Sequence, residues 1–128
     1  MLLDTHVWLW WTYGSKERLP ENVRSRIAQR DERVMVSMAS LWEIAIKSRL
    51  GKIAFPRPPA TYALKQMKRQ RFELLGIRIA HVDAIASMPL HHRDPFDRLL
   101  IAQAQVEGLT LLTADAAFEL YKIAKIIV

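Results

Sequence analysis

Cysteine is missing from this chain of 128 residues, which excludes disulfide bonds and metal sites built on thiolates. No part of the sequence approaches the ~20 continuous apolar residues of a membrane-spanning helix. The N-terminal stretch MLLDTHVWLWW has no basic leader, and Asp4 and His6 interrupt its apolar run, so we do not expect a signal peptide. The chain also lacks the GxGxxG and Walker-A phosphate-binding motifs. These absences predict a cytoplasmic protein without a membrane segment.

The composition is that of an ordinary globular protein, and the length predicts a single domain over residues 1–128. Lysine and arginine outnumber the acids 19 to 13, a net charge of +6 that favours a polyanionic partner, although solubility alone also explains it. The basic residues are densest in LKQMKRQRF. This segment has two interpretations, a contact with nucleic acid and a solvated helix face. The residues concerned are Lys65, Lys68, Arg69 and Arg71.

Short strand-like runs alternate with helical patterns along the chain. The runs are MLL at the start, RVMVS (33–37), ELLGI (73–77), LTLLT (109–113) and KIIV at the end. Helical patterns lie between them, two of which end at the expected capping glycines, Gly51 and Gly108. Strands separated by helices predict an α/β fold with a mostly parallel sheet covered on both faces. In such folds the working crevice lies at the carboxyl ends of the strands.

Three aspartates near predicted strand or helix ends have two interpretations. Asp4 follows the first run, and Asp115 follows LTLLTA, so both fit the crevice and both fit a helix N-cap. Asp94 precedes Pro95, which is the pattern of an N-cap followed by the first helical residue. A helix N-cap and a catalytic residue of the crevice would both lie at this edge of the sheet. The positions of the three aspartates therefore do not separate the two interpretations.

Glu43 and Asp97 are harder to explain as structure. Glu43 lies inside MASLWEIAI, where no cap needs it and an ionised carboxylate is costly unless it is paired or bound to a metal. Its structural alternative is an i,i+4 ion pair with Lys47. Asp97 shares its helical face with Leu100 and Ile101, which aims it inward.

Carboxylates gathered at one edge repel one another and raise each other's pKa unless a cation neutralises them. A set of oxygen donors alone favours a hard divalent ion, Mg²⁺ or Mn²⁺, over zinc. His91 and His92 are adjacent and lack zinc-motif spacing, so we expect them to be loop residues.

Four segments of the sequence together resemble the PIN-domain ribonucleases, especially the VapC-type toxins of toxin–antitoxin pairs. The segments are LLDTHVWLW, SLWEIAIKSRLGK, HHRDPFDRLLIAQA and GLTLLTAD, and they occur in the family's order across essentially the whole chain. The resemblance implies a three-layer α/β/α fold with a central parallel sheet of about five strands. It also implies an acidic site formed by Asp4, Glu43, Asp97 and Asp115, of which Asp4, Asp97 and Asp115 are the expected metal ligands.

The resemblance further implies RNA cleavage by a metal-activated water, with Thr113 helping to orient the site and Asp94 close enough to assist. It implies a homodimer and an antitoxin partner. Trp8 and Trp10, in HVWLWWTY, are open to a core interpretation and to a protein-interface interpretation, and the interface hypothesis extends to Trp11. Only three residues precede Asp4, so the first strand is expected to be short, and a clipped N-terminus stays open.

Two other functions stay open on the sequence alone. A phosphatase- or receiver-type protein also uses aspartate at strand ends, but DTH lacks the second aspartate that a phosphatase places two residues after its nucleophile. A non-catalytic RNA- or protein-binding module is the other alternative, and a retained cluster of repelling carboxylates speaks against it.

Overall fold

The computed structural model of the chain describes residues 1–29, 31–91 and 94–128. Over these residues it has five strands and six helices. The strands are β1 (Leu2–Leu3), β2 (Met35–Ser37), β3 (Glu73–Leu75), β4 (Leu111–Thr113) and β5 (Lys125–Ile127). The helices are α1 (Thr5–Thr12), α2 (Glu21–Ala28), α3 (Met38–Arg49), α4 (Pro59–Arg69), α5 (Ile79–Ala86) and α6 (Pro95–Glu107). Short 3₁₀ helices cover Lys16–Arg18 and Ala116–Leu120.

The five strands form one sheet in the order β3-β2-β1-β4-β5, and every neighbouring pair is parallel. This confirms the predicted sheet and all five of its predicted strands. From β1 the chain goes first to β2 on one side and later to β4 on the other. The order of strands therefore reverses between β1 and β4, where a doubly wound sheet opens its ligand crevice.

The sheet is the middle of three layers, because its strands bury side chains on both faces. On one face, Leu3 packs with Trp8 of α1 and Ile44 of α3. On the other face, Leu2 packs with Leu100 of α6. Alternate residues of a strand point to opposite faces, so even the two-residue strand β1 contributes to both cores. The predicted α/β/α layering is confirmed.

Helix α5 is the element that the sequence analysis did not predict. Its N-cap position is occupied by Arg78, which is not one of the usual capping residues. The helix is instead held by a contact that is distant in sequence. Fully buried His81 accepts the Arg78 N–H at Nδ1 (2.9 Å), and its Nε2 lies 2.8 Å from Oε1 of Glu107 in α6. The sequence pattern of residues 79–86 alone does not reveal this contact, because Glu107 lies in another helix.

Two of the tryptophans in α1 have different surroundings. Trp8 is 0% exposed, and its indole N–H donates to Oε1 of Gln70 at 3.0 Å. The hypothesis that Trp8 belongs to a protein interface is therefore corrected, because its whole side chain is used by the core. Trp11 is partly exposed, with its ring 6.4 Å from that of Phe72, and its interface role stays a prediction. None of the helices in the described ranges is long and apolar enough to cross a membrane.

Candidate functional site

Acidic side chains from four separate segments line one cavity of about 410 Å³ at the carboxyl edge of the sheet. Asp4 directly follows β1, and Asp115 lies two residues beyond β4. Glu43 comes from α3, which begins where β2 ends, and Asp97 comes from the first turn of α6. Asp94 also lines the cavity. The structure therefore brings together the residues that the sequence analysis named as candidates.

Asp4 is the most constrained of these acids. It is the N-cap of α1, where its Oδ1 accepts the N–H of Val7 at 2.8 Å. Its Oδ2 accepts the Thr113 hydroxyl and, at 3.2 Å, the N–H of Ala114. Only 6% of the residue is exposed, and this burial raises the pKa of the carboxyl despite the three donors. Asp4 is thus a cap that also presents a carboxylate to the cavity.

The sequence left helix capping and a role in the cavity open for the acids of this segment, and Asp94 and Asp97 differ in which of the two they serve. Asp94 is confirmed as the N-cap of α6, since its Oδ1 accepts the N–H groups of Phe96 (2.8 Å) and Asp97 (3.3 Å). The side chain of Asp97 is therefore not needed for capping. Burial, followed by the charges of Asp94, Glu43, Asp115 and Asp4, raises the pKa of Asp97 to about 7. Asp97 is the side chain on which the repulsion within the cavity acts most strongly.

Glu43 forms the i,i+4 ion pair with Lys47 that the sequence analysis gave as its structural interpretation. The residue is 7% exposed, and its Oε2 lies 3.0 Å from Nζ of Lys47, one turn further along α3. A pair of this kind satisfies a buried carboxylate, but it does not explain why the acid faces four others. Lys47 itself lines the cavity. It is therefore a cation in the cavity as well as the partner of Glu43.

Thr113 joins the two acids that follow the central strands. It is fully buried at the end of β4, donates its hydroxyl to Asp4 and accepts the N–H of Asp115 at 3.1 Å. Asp115 is exposed and caps the short 3₁₀ helix by accepting the N–H of Ala117 at 2.9 Å. The Thr113 hydroxyl thus ties the two neighbouring strand ends together at the opening of the crevice.

The donor set has the chemistry of a hard divalent cation, because the cavity offers carboxylate oxygens and no thiolate. As these side chains lie, no three acids or histidines within residues 1–29, 31–91 and 94–128 form a group that could hold an ion. Their present partners account for this: Asp4 and Asp115 accept N–H donors, and Glu43 faces Lys47. The residues fit a cation by type and charge, and a shared ion requires side-chain rotation within the cavity.

His6 and Trp10 are among the cavity residues that the sequence analysis did not single out as site residues. His6 and Trp10 of α1 line the cavity, four residues apart and therefore on one face of the helix. Their spacing from Asp4, the N-cap, was the signal that could have found them. His91 is exposed, with its ring edge-on to Tyr121 at 5.0 Å, and His92 lies outside the described residues.

The basic cluster predicted for RNA binding lies elsewhere. Its four residues are exposed on α4 and in the turn after it, and none of them lines the acidic cavity. Two of them, Arg69 and Arg71, line a separate cavity together with Trp11. A role for this cluster in RNA binding stays a prediction.

Comparisons with known proteins agree with this architecture. The family model described as "PIN domain" matches residues 1–124. A curated protein named Ribonuclease VapC16, from Mycobacterium tuberculosis (strain ATCC 25618 / H37Rv), is 44% identical over 48 residues, which are 38% of this chain. That match covers only about a third (34%) of the relative's length.

One solved structure has the same fold over nearly the whole chain. It is described as the crystal structure of DNA-bound VapBC from Salmonella typhimurium, and it aligns with a TM-score of 0.66. The alignment covers 98% of this chain and 96% of the other at 19% sequence identity, so it bears on the fold alone.

Proposed function

Because this chain belongs to the PIN-domain family, we propose that it is a metal-dependent endoribonuclease and the toxin of a toxin–antitoxin pair. The observation that carries the proposal is the convergence of Asp4, Glu43, Asp97 and Asp115 on one cavity at the switch point of the sheet. Residues so far apart in sequence share a cavity only through the fold. A purely structural protein has no use for such a repelling set.

The acids have three parts in the proposed reaction. Asp4, Asp97 and Asp115 would hold Mg²⁺ or Mn²⁺, Glu43 would complete the catalytic set, and Asp94 would support it from the N-cap of α6. Such an ion would supply a lowered pKa for the attacking water and offset charge on the phosphate. Thr113 fixes the orientation of Asp4 through its hydroxyl.

The positive groups of the chain bring the substrate to this acidic cavity. A net charge of +6 attracts the RNA backbone over a distance, while bare carboxylates would repel a phosphate at close range. Lys47 reduces that repulsion inside the cavity, because it neutralises Glu43 at 3.0 Å.

The partners and setting are part of the same proposal. Similarity to a protein named as a VapC ribonuclease and to a VapBC structure supports an RNA substrate and an antitoxin partner. Exposed apolar side chains on α5, such as Ile79 at 77% and Val82 at 52%, support a homodimer. We place residues 1–128 in one PIN domain and the protein in the cytoplasm.

The test is cleavage of a mixed pool of single-stranded RNA by the purified chain. We expect cleavage with Mg²⁺ or Mn²⁺ and none with EDTA, because without a cation the clustered carboxylates repel the phosphate and no ion lowers the pKa of the attacking water. Calorimetric titration of the apo protein with Mn²⁺ should show binding that weakens when the acids are replaced. Cleavage that persists in EDTA, or a protein that binds neither ion, would contradict the proposal.

Replacing Thr113 with valine is expected to weaken cleavage by roughly ten- to a hundredfold, as for other residues that orient metal ligands. Valine keeps the shape but leaves the N–H of Asp115 without its acceptor and Asp4 without one donor. We therefore also expect a loss of about 1–2 kcal/mol in the free energy of unfolding. Serine keeps the hydroxyl, so Thr113→Ser should recover most of the cleavage activity; failure to do so would mean that packing, not the hydroxyl, matters.

A further inference from the structure

A second cavity, of about 260 Å³ and mostly apolar, shares Trp10 with the acidic cavity. Aromatic rings dominate the region: Tyr13 lies 5.7 Å from Phe55, and Phe55 lies 5.4 Å from Tyr62, in both cases edge to face. Tyr13 is about half exposed, and Trp10 is partly exposed. A partly exposed aromatic surface thus borders the acidic cavity at Trp10.

The charges around this aromatic cavity suit a polyanion. None of its lining residues is acidic. The guanidinium carbon of Arg18 lies 5.2 Å from the ring centroid of Trp10, in cation–π contact. His6 stands one turn before Trp10 on α1, at the border with the acidic cavity. A chain of phosphates leaving the acidic cavity along α1 would therefore meet cationic groups and aromatic rings instead of more carboxylates.

We propose that Trp10 and the aromatic cavity behind it hold an unpaired nucleobase of the RNA substrate, next to the phosphate that occupies the acidic cavity. Arg18 contacts the backbone of the same nucleotide. This inference rests on the proposed ribonuclease function and adds to it a site for one base of the substrate, formed by Trp10 and the aromatic cavity. A base within a duplex is stacked on its neighbours and cannot reach a ring in a protein cavity, whereas an unpaired base can.

An apolar protein segment is the competing occupant of such a cavity. Two observations favour the nucleobase. Trp10 lines both cavities, so an occupant of the aromatic cavity borders the acidic cavity, where the proposed reaction takes place. The cation on the ring, Arg18, has the planar donors that suit phosphate.

The inference is tested by the affinity for a fluorescently labelled single-stranded RNA, measured by anisotropy with Ca²⁺ in place of Mg²⁺. Calcium keeps the carboxylates neutralised, while its different coordination disfavours the reaction. Trp10→Leu should weaken binding roughly tenfold, the cost of losing one base–aromatic contact. Trp10→Phe, which keeps a ring, should recover most of the affinity.

The matched control is Trp42→Leu. Trp42 is an exposed indole of α3 with its ring 5.0 Å from that of Phe96, and it lines neither the acidic nor the aromatic cavity. Trp42→Leu should lose much less affinity than Trp10→Leu. Thermal unfolding of both variants separates a loss of fold from a loss of contact.

A scan of the RNA with abasic nucleotides gives a readout that a structural role of Trp10 would not change. One abasic position should weaken binding to the wild-type protein and have no further effect on Trp10→Leu. If Trp10→Leu binds RNA as tightly as wild type, or responds to every abasic position as wild type does, the inference is overturned and a protein segment becomes the better occupant. The proposed function stands in that case as long as the wild-type protein still cuts RNA with Mg²⁺.

Discussion

Asp97→Asn is expected to abolish RNA cleavage while it stabilises the metal-free protein. The loss of activity follows from the loss of a proposed anionic metal ligand, since a bound metal contributes several kcal/mol to the transition state, which corresponds to about a thousandfold or more in rate. The gain in stability follows from the cavity itself. Burial and four neighbouring carboxylates raise the pKa of Asp97 to about 7, so the ionised form is unfavourable in the folded chain.

The stability gain has a defined pH dependence. At pH values below the ordinary pKa of 3.8, Asp97 is protonated in both the folded and the unfolded chain and costs nothing. As the pH rises towards 7, the unfolded chain ionises first, and the wild-type protein loses stability that the asparagine variant keeps. A shift of this size in a fully buried group corresponds to about 4 kcal/mol, and we expect about 1–2 kcal/mol here because the side chain is only partly buried and is screened by solvent.

Urea unfolding in EDTA between pH 4 and 8, together with cleavage assays in Mg²⁺, measures both effects. Asp94→Asn is the matched control, because asparagine is as good an N-cap as aspartate and the change is three residues away. It should lose far less activity and gain less stability. An Asp97→Asn protein that cuts RNA at the wild-type rate, or that is less stable than wild type at pH 7, would contradict this account of Asp97.

Asp4→Ala is expected to abolish cleavage as well, but with the opposite effect on the fold. Alanine removes the N-cap of α1 and leaves three donors without their acceptor, namely the N–H groups of Val7 and Ala114 and the hydroxyl of Thr113. A lost cap and unsatisfied buried donors together cost about 2–4 kcal/mol, even after relief from burying a charge. Equilibrium unfolding and circular dichroism measure the loss.

Asp4→Asn separates the two roles of this residue. Asparagine retains one oxygen that caps the helix but no acceptor for the N–H of Ala114, so part of the stability should return, while the negative charge that attracts a cation is gone. We expect a folded protein with greatly reduced affinity for Mn²⁺ and with no cleavage. Substantial cleavage by Asp4→Asn would mean that Asp4 serves the fold and not the metal.

The architecture could be predicted from local patterns because each pattern has a local cause. Alternation of apolar runs and helical periodicity predicts a covered parallel sheet, and Gly108, at φ 64°, ends α6 because a residue without a side chain adopts that conformation freely. Helix α5 escaped prediction because its stabilising contact, from His81 to Glu107, crosses from one helix to another. The sequence left both the core and the interface interpretation of Trp8 open for a related reason, since a helix that is apolar on all sides does not reveal which face is covered.

The sequence by itself determined which residue types and which order of segments are present: acids after strands, an acid inside an apolar helix, a basic net charge and no thiol. Only the tertiary structure decided which of them meet. It assigned Asp94 to capping and Asp97 to the cavity, paired Glu43 with Lys47, and placed Trp10 between the acidic and the aromatic cavity. The physical reason is that charge repulsion, desolvation and ring contacts act through space over a few ångströms, whereas hydrogen-bonded groups of this site are separated by up to 110 positions along the chain.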